Sequence, residues 1–220
     1  MDRRHRFSRL EEIAVWKMPS FDFDPAETQR LMEEVLKGAS SLILDLRGNG
    51  GGQVKTLEEV TRRFFDREVK IADLKGRRTN KVIVAKKRGS PFTGKVVVLV
   101  DAESASAAEV LARVMQLEKR ATVIGDISSG SVMQSRQVAG GAETVSGFIP
   151  YAVSITDADI IMTDGKSLEH VGVMPDERLL PTPEDLASGR DPVLARAATL
   201  LGTPIDPRQA GQMFPVEWKK

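Results

Sequence analysis

The sequence predicts an α/β fold with a mainly parallel sheet flanked by helices, and three observations predict it. The runs SSLILDL (40–46), KVVVLV (95–100) and ATVIG (121–125) are short and continuously apolar, as strands covered on both faces are. Segments with helical apolar spacing lie between them. Strand and helix therefore alternate, which implies parallel strands joined by right-handed crossovers.

In chain order, EEIAVWKMPSF (11–21) reads as a strand by its β-branched and aromatic content. Asp24-Pro25-Ala26-Glu27 then spells a helix start, with a capping aspartate, proline at the first helical position and glutamate at the third. Leu31, Met32, Val35 and Leu36 give that helix an apolar face, and Gly38 ends it. After the strand at 40–46 comes a glycine-rich turn and a second helix around Leu57, Val60, Phe64 and Phe65. Residues 68–93 alternate apolar and basic pieces, as a hairpin or peripheral strands would. The helix from about 106 to 118 turns Val110, Leu111, Val114, Met115 and Leu117 inward. Residues 144–165 are strand-rich, and Asp191-Pro192 opens a last helix with Leu194, Ala198 and Leu201 inward.

Composition removes several function classes. With 220 residues, 41% of them hydrophobic, the chain can bury the core of one substantial domain. Its 32 basic and 31 acidic residues are interspersed, so it carries no electrostatic footprint for nucleic acid or an anionic membrane. No run approaches the ~18 apolar residues of a membrane span, and MDRRHRFSRLEE lacks a signal peptide's apolar core, so the chain as given reads as soluble. The absence of cysteine excludes disulfides and thiolate chemistry. With only His5 and His170 and no HExxH pair, no metal or other cofactor is expected.

Two loops carry candidate chemistry. In LDLRGNGGGQ (44–53), Gly48, Gly50, Gly51 and Gly52 let several backbone amides point one way, as an anion or oxyanion cradle requires. The turn is neither a P-loop nor GxGxxG, since Gln53 stands where the last glycine would be, and a plain tight turn explains the glycines equally well. Asp45 and Arg47 read as ties for that turn. The second loop lies within VVVLVDAESASAAEVLARVMQ (96–116), where Ser104 and Ser106 stand at a strand-to-helix join. Ser106-Ala107-Ala108-Glu109 fits a capping box, yet such a join is also where a nucleophile sits in an α/β sheet. If the two strands are neighbours, an amide from residues 50–52 and that of Ala107 would both face an oxyanion formed by attack from Ser106.

Five segments in order resemble the C-terminal processing peptidases, or tail-specific proteases, a family that includes the tricorn core and interphotoreceptor retinoid-binding protein modules. They are VWKMPSF (15–21), LILDLRGNGGG (42–52), VLVDAESASAAE (98–109), RATVIGD (120–126) and DGKSLEHVGVMPD (164–176). The resemblance implies a crotonase/ClpP-like core, Ser106 as nucleophile, oxyanion amides from Ala107 and Gly51 or Gly50, and a peptide or protein substrate. It also implies an extracytoplasmic location, periplasmic or secreted. Members carry an N-terminal segment and often a PDZ domain before the core, so residues 1–220 read as a single core domain excised from a longer chain; oligomerisation is left open.

The match departs at the base. Many members have Gly-Lys-Gly-x-x-Gln after the third core strand, the lysine deprotonating the serine, whereas this chain reads GDISSGSVMQSRQ (125–137). Ser131 fills the lysine's place and can lend no more than a hydrogen bond; Gln134 is one position short of the orienting glutamine's place, which Ser135 fills. Three resolutions follow. Similarity to tricorn-like members implies a histidine supplied from sequence ahead of the core, with Glu169 as the supporting carboxylate. Alternatively, His5 or His170 serves. In the third, the chain is an inactive relative that binds a peptide or apolar ligand in the same cleft.

Overall fold

The structure is a computed structural model and describes residues 4–78, 80–145 and 147–215. Its elements are β1 (Arg6–Leu10), β2 (Ile13–Lys17), α1 (Pro25–Leu36), β3 (Ser41–Asp45), α2 (Val54–Arg62), β4 (Val69–Lys75), β5 (Asn80–Ala85), β6 (Lys95–Val100), α3 (Ala107–Leu117), β7 (Thr122–Gly125), β8 (Gln134–Thr144), β9 (Gly147–Met162), β10 (Glu177–Arg178), α4 (Pro183–Ala187), α5 (Pro192–Leu200) and α6 (Pro207–Met213).

The main sheet has the order β1-β2-β3-β6-β7-β10. From β2 onward its pairs are parallel, while β1 folds back antiparallel on β2. Side chains alternate across each strand. Leu42, Leu44, Val96 and Val98 therefore join the core shared with α1, α2 and α3. Ile43, Val97 and Leu99 face the opposite way, onto α5 and α6. A second, antiparallel sheet, β5-β4-β9-β8, packs against α2 and α3. The mixed α/β architecture and the mainly parallel main sheet match the expectation from sequence.

Helix α1 starts as its sequence dictates: an Asp24 side-chain oxygen accepts from the amides of Ala26 (2.9 Å) and Glu27 (3.0 Å), and Pro25 takes the first helical position. Four expectations need correction. Strand β1 precedes the expected first strand and has no signal of its own, because RFSRL alternates polar and apolar residues on an edge and has no apolar run. Helix α2 stops at Arg62, and Phe64 and Phe65 are buried in the turn after it. The strand-rich stretch 144–165 is largely β9, whose partner β8 is too polar and glycine-rich to announce itself. Helix α5 is not the last, since α6 follows it, and α4 precedes it.

Candidate active site

The glycine turn leaves the carboxyl end of β3, and the serine loop leaves the carboxyl end of β6. These strands are direct neighbours, with Asp45 opposite Leu99, so the two loops rise side by side. The sheet thus brings together what the sequence separates by more than fifty residues.

Buried polar groups fasten the glycine turn. Asp45 is fully buried. Burial alone would raise its pKa, but the charges of Arg47 and Lys17 and the hydrogen bonds from Arg47 outweigh this and hold the carboxyl far below the usual range. Arg47 donates to both oxygens of Asp45 (2.9 and 2.8 Å) and to both oxygens of Asp191 (3.0 and 2.7 Å), which ties the turn to the start of α5. Asn49, also fully buried, bridges three segments. Its Nδ2 donates to the Met18 carbonyl (2.9 Å), its Oδ1 accepts from the Gly51 amide (2.9 Å), and its carbonyl accepts from the Ala105 amide (2.9 Å).

The serines at the join divide the work. Ser104 is fully buried, donates to the Leu46 carbonyl (2.9 Å) and accepts from the Asp101 amide (3.0 Å), so it is a brace between the two loops. Ser106 is half-buried and has φ 54° and ψ −119°. A capping serine ordinarily has extended backbone, and a non-glycine residue held at positive φ stores on the order of 1–3 kcal/mol of strain. Gly51 packs directly on it. A Cβ added at Gly51, which itself has φ +91°, would lie 2.5 Å from the Ser106 Cβ and 3.0 Å from the Ala107 amide nitrogen. Glycine is needed there both for its backbone conformation and for the space.

Glu109 is the site residue that sequence reasoning saw only as a helix cap. Fully buried, it accepts from the Ser106 amide (2.9 Å), the Ser128 hydroxyl (2.6 Å), the Gly130 amide (2.7 Å) and the Ser131 amide (3.1 Å). Its position three residues after Ser106 signals the first bond, but nothing local signals the others. Ser128 extends the network by accepting from the Val173 amide (2.6 Å), which joins the GVMPD segment to the serine loop.

The remaining sequence-predicted residues fall as follows. Ser131 presents its carbonyl to the Ser106 amide (2.9 Å), while its hydroxyl is exposed and bonded to the Ser129 hydroxyl (3.1 Å). Glu169 Oε2 accepts from the amides of Val132 (2.7 Å) and Met133 (3.2 Å), beside Ser131, and its Oε1 lies 3.8 Å from His170 Nε2. The His170 side chain is 90% exposed. His5 is elsewhere: its Nδ1 accepts from Trp16 Nε1 (3.1 Å), its ring packs 4.0 Å from that of Phe23, and burial lowers its pKa to about 4. Gln134 donates to Asp157 (3.1 Å) at the root of the β8–β9 hairpin. Neither histidine is hydrogen-bonded to Ser106 among the described residues.

Two amides in these loops differ from their neighbours. Gly51 N–H is committed to Asn49, whereas among the described residues the amides of Gly50 and Ala107 donate to no protein group. The Ala107 amide opens α3, where the helix dipole favours negative charge. A half-buried serine hydroxyl on a strained turn, at a helix start whose first amide is free, is an arrangement suited to acyl transfer.

Residues 12–179 match the sequence profile of peptidase family S41. The chain belongs to peptidase family S41. Among S41 relatives it is 28% identical to the carboxy-terminal processing protease CtpA of Bacillus subtilis, over 77% of this chain and 36% of that protein. It is 31% identical to a carboxy-terminal-processing protease of Bartonella bacilliformis, over 67% of this chain and 32% of that one. The chain therefore spans about a third of the length of these curated relatives. Its fold is similar to that of a putative peptidase from Parabacteroides merdae, with a TM-score of 0.71 at 22% identity over 90% of this chain and 64% of that one. It is also similar to the photosystem II D1 C-terminal processing protease, with a TM-score of 0.61 at 26% identity over 80% and 45%. The S41 match includes the glycine turn, the serine loop and the Glu169 segment.

Proposed function

We propose that this chain is the core domain of a serine peptidase of the tail-processing class, with Ser106 as nucleophile. The Ser106 Oγ bonds to the scissile carbonyl carbon and its proton passes to a base. The C–N bond then breaks as the base returns that proton to the departing amine, and water releases the acyl group and restores the serine. The oxyanion accepts from Ala107 and Gly50, donors typically worth about 3–4 kcal/mol each in the transition state. Gly51, its N–H held by Asn49, supplies clearance instead. The observation that carries this reading is the positive φ of Ser106 against Gly51, which helix capping alone does not require.

The base is assigned to an imidazole from sequence ahead of the core, held by Glu169 Oε1, with Ser131 lending a hydrogen bond. His170 is the within-chain alternative, favoured by its 3.8 Å approach to that oxygen. His5 is unsuited, since its Nδ1 is occupied and its pKa of about 4 makes it a weak base. The same reading takes the fold as crotonase/ClpP-like, the chain as part of a longer protein, and its location as extracytoplasmic. A second reading, an inactive module that binds a peptide or apolar ligand, is supported by the lack of a base on Ser106 among the described residues.

A fluorophosphonate probe separates the two readings. The full-length protein is expected to label at Ser106, with labelling abolished in Ser106→Ala. The 220-residue chain alone is expected to turn peptides over slowly or not at all. Undiminished labelling of Ser106→Ala, or no labelling of a folded full-length protein that still binds peptide, overturns the peptidase reading.

A further inference from the structure

The β8–β9 hairpin outgrows the body of the protein. Strand β4 pairs with β9 only from Asp159 to Met162, so beyond Asp157 the ribbon continues as two strands whose outer edges pair with no described strand. An isolated two-stranded ribbon is marginally stable in water, and open edges are ordinarily blunted with charge. Here the reverse holds. Residues 137–156 carry one charge, Glu143, in twenty positions, whereas 29% of the chain is charged. Charge depletion of this kind marks the centre of a protein–protein interface.

The register sorts the apolar residues onto one face. Val138 stands opposite Val153, Gly140 opposite Tyr151 and Ala142 opposite Ile149, with Ile155 next along β9 opposite Arg136. Val138, Ile149, Tyr151, Val153 and Ile155 are 43, 58, 56, 48 and 41% exposed. The Tyr151 ring lies across Gly140, where an added Cβ would come within 2.7 Å of it, so the stripe is unbroken. The Arg136–Asp157 ion pair, at 4.0 Å, closes it at the root. The other face carries Ser135, Gln137, Glu143, Ser154 and Thr156 beside Phe148.

We propose that this stripe is a homodimer interface, packed against the same stripe of a second copy of the chain. Five half-exposed apolar side chains present on the order of 400 Å² per copy, about the most a monomer leaves bare. Two such stripes with their flanks approach the roughly 1,000 Å² at which a specific interface begins. The stripe has no charge to meet a nucleic acid or a charged peptide, and a ribbon has no concavity for a small ligand. A two-fold axis through Tyr151 and Val153 makes it its own complement, giving two aligned layers about 10 Å apart. The inference does not depend on Ser106 being catalytic.

Sedimentation of the 220-residue chain tests it. The expected result is twice the single-chain mass in the micromolar range, falling to one chain on dilution. The double variant Tyr151→Lys/Val153→Lys is expected to sediment as one chain with unchanged circular dichroism and a melting temperature that no longer depends on concentration. Leu186→Lys, on a still more exposed site in α4, stays double. Because the protein has no cysteine, Val153→Cys supplies its sole thiol and is expected to cross-link copies on oxidation much faster than Leu186→Cys. A wild-type chain that stays single, whether or not a peptide binds its hairpin, overturns the proposal. So does a lysine variant that remains double, or equal cross-linking of the two cysteine variants.

Discussion

The loops after β3 and β6 and the β8–β9 hairpin are held together in opposite ways. In the loops, Asn49, Ser104 and Glu109 are each fully buried and each joins segments distant in sequence. In the hairpin, order comes from an eleven-pair backbone ladder with side chains largely in solvent. A region braced by a few side chains holds atoms accurately but fails when one brace is lost. A region held by its ladder tolerates substitution and leaves its faces available for contact.

The sharpest test is Glu109→Ala, which strands the Ser128 hydroxyl and the amides of Gly130 and Ser131 in the interior. We expect a loss of about 3–5 kcal/mol in urea unfolding, against about 0.5 kcal/mol or less for Gln137→Thr on the polar face of the hairpin. Equal losses would erase the distinction. Gly51→Ala comes next, at about 2–3 kcal/mol, because its methyl would meet Ser106 and the backbone at 105–107; probe labelling should fall with it. Ser106→Gly has the opposite sign. It should raise stability by about 1 kcal/mol, the relieved strain exceeding the added flexibility of the unfolded chain, while abolishing labelling. A destabilised Ser106→Gly would mean that the backbone there is not strained.

The last contrast is silent at neutral pH. Asp45 has a folded-state pKa far below its ordinary 3.8, so its stabilisation is complete above that value and is lost as the pH falls through the range below it. Amide exchange below pH 3.8 should show protection falling in the turn at 45–51, while residues 137–156 change little.

What could be read from the sequence follows from the range of the forces. Strands β3, β6 and β7 are buried on both faces, so their own residues declare them, and Asp24 caps α1 through neighbours two and three residues away. Strands β1 and β8 carry no such pattern, because one lies on an edge and the other faces solvent. The site divides similarly. Ser106, Gly50, Gly51 and Ala107 lie on two short motifs that adjacent strands bring together. The network of Glu109 reaches residues 19 to 22 positions away, and that of Asn49 reaches Met18 and Ala105, 31 and 56 positions away, so neither could be inferred from local spacing. Ser131 and Glu169 stand out through a motif alone, and the backbone bonds they make to Ser106, Val132 and Met133 have no local signal.

The clasp between Arg47 and Asp191 spans 144 positions. On the ribosome, the glycine turn and the serine loop emerge long before the aspartate that anchors their arginine. A nascent chain halted at residue 190 would hold the glycine turn and the serine loop, yet its Arg47 guanidinium would lack one of its two carboxylate partners and its α5 would not yet cover the sheet. Closure of the glycine turn therefore waits on a residue far downstream of the loop it fastens.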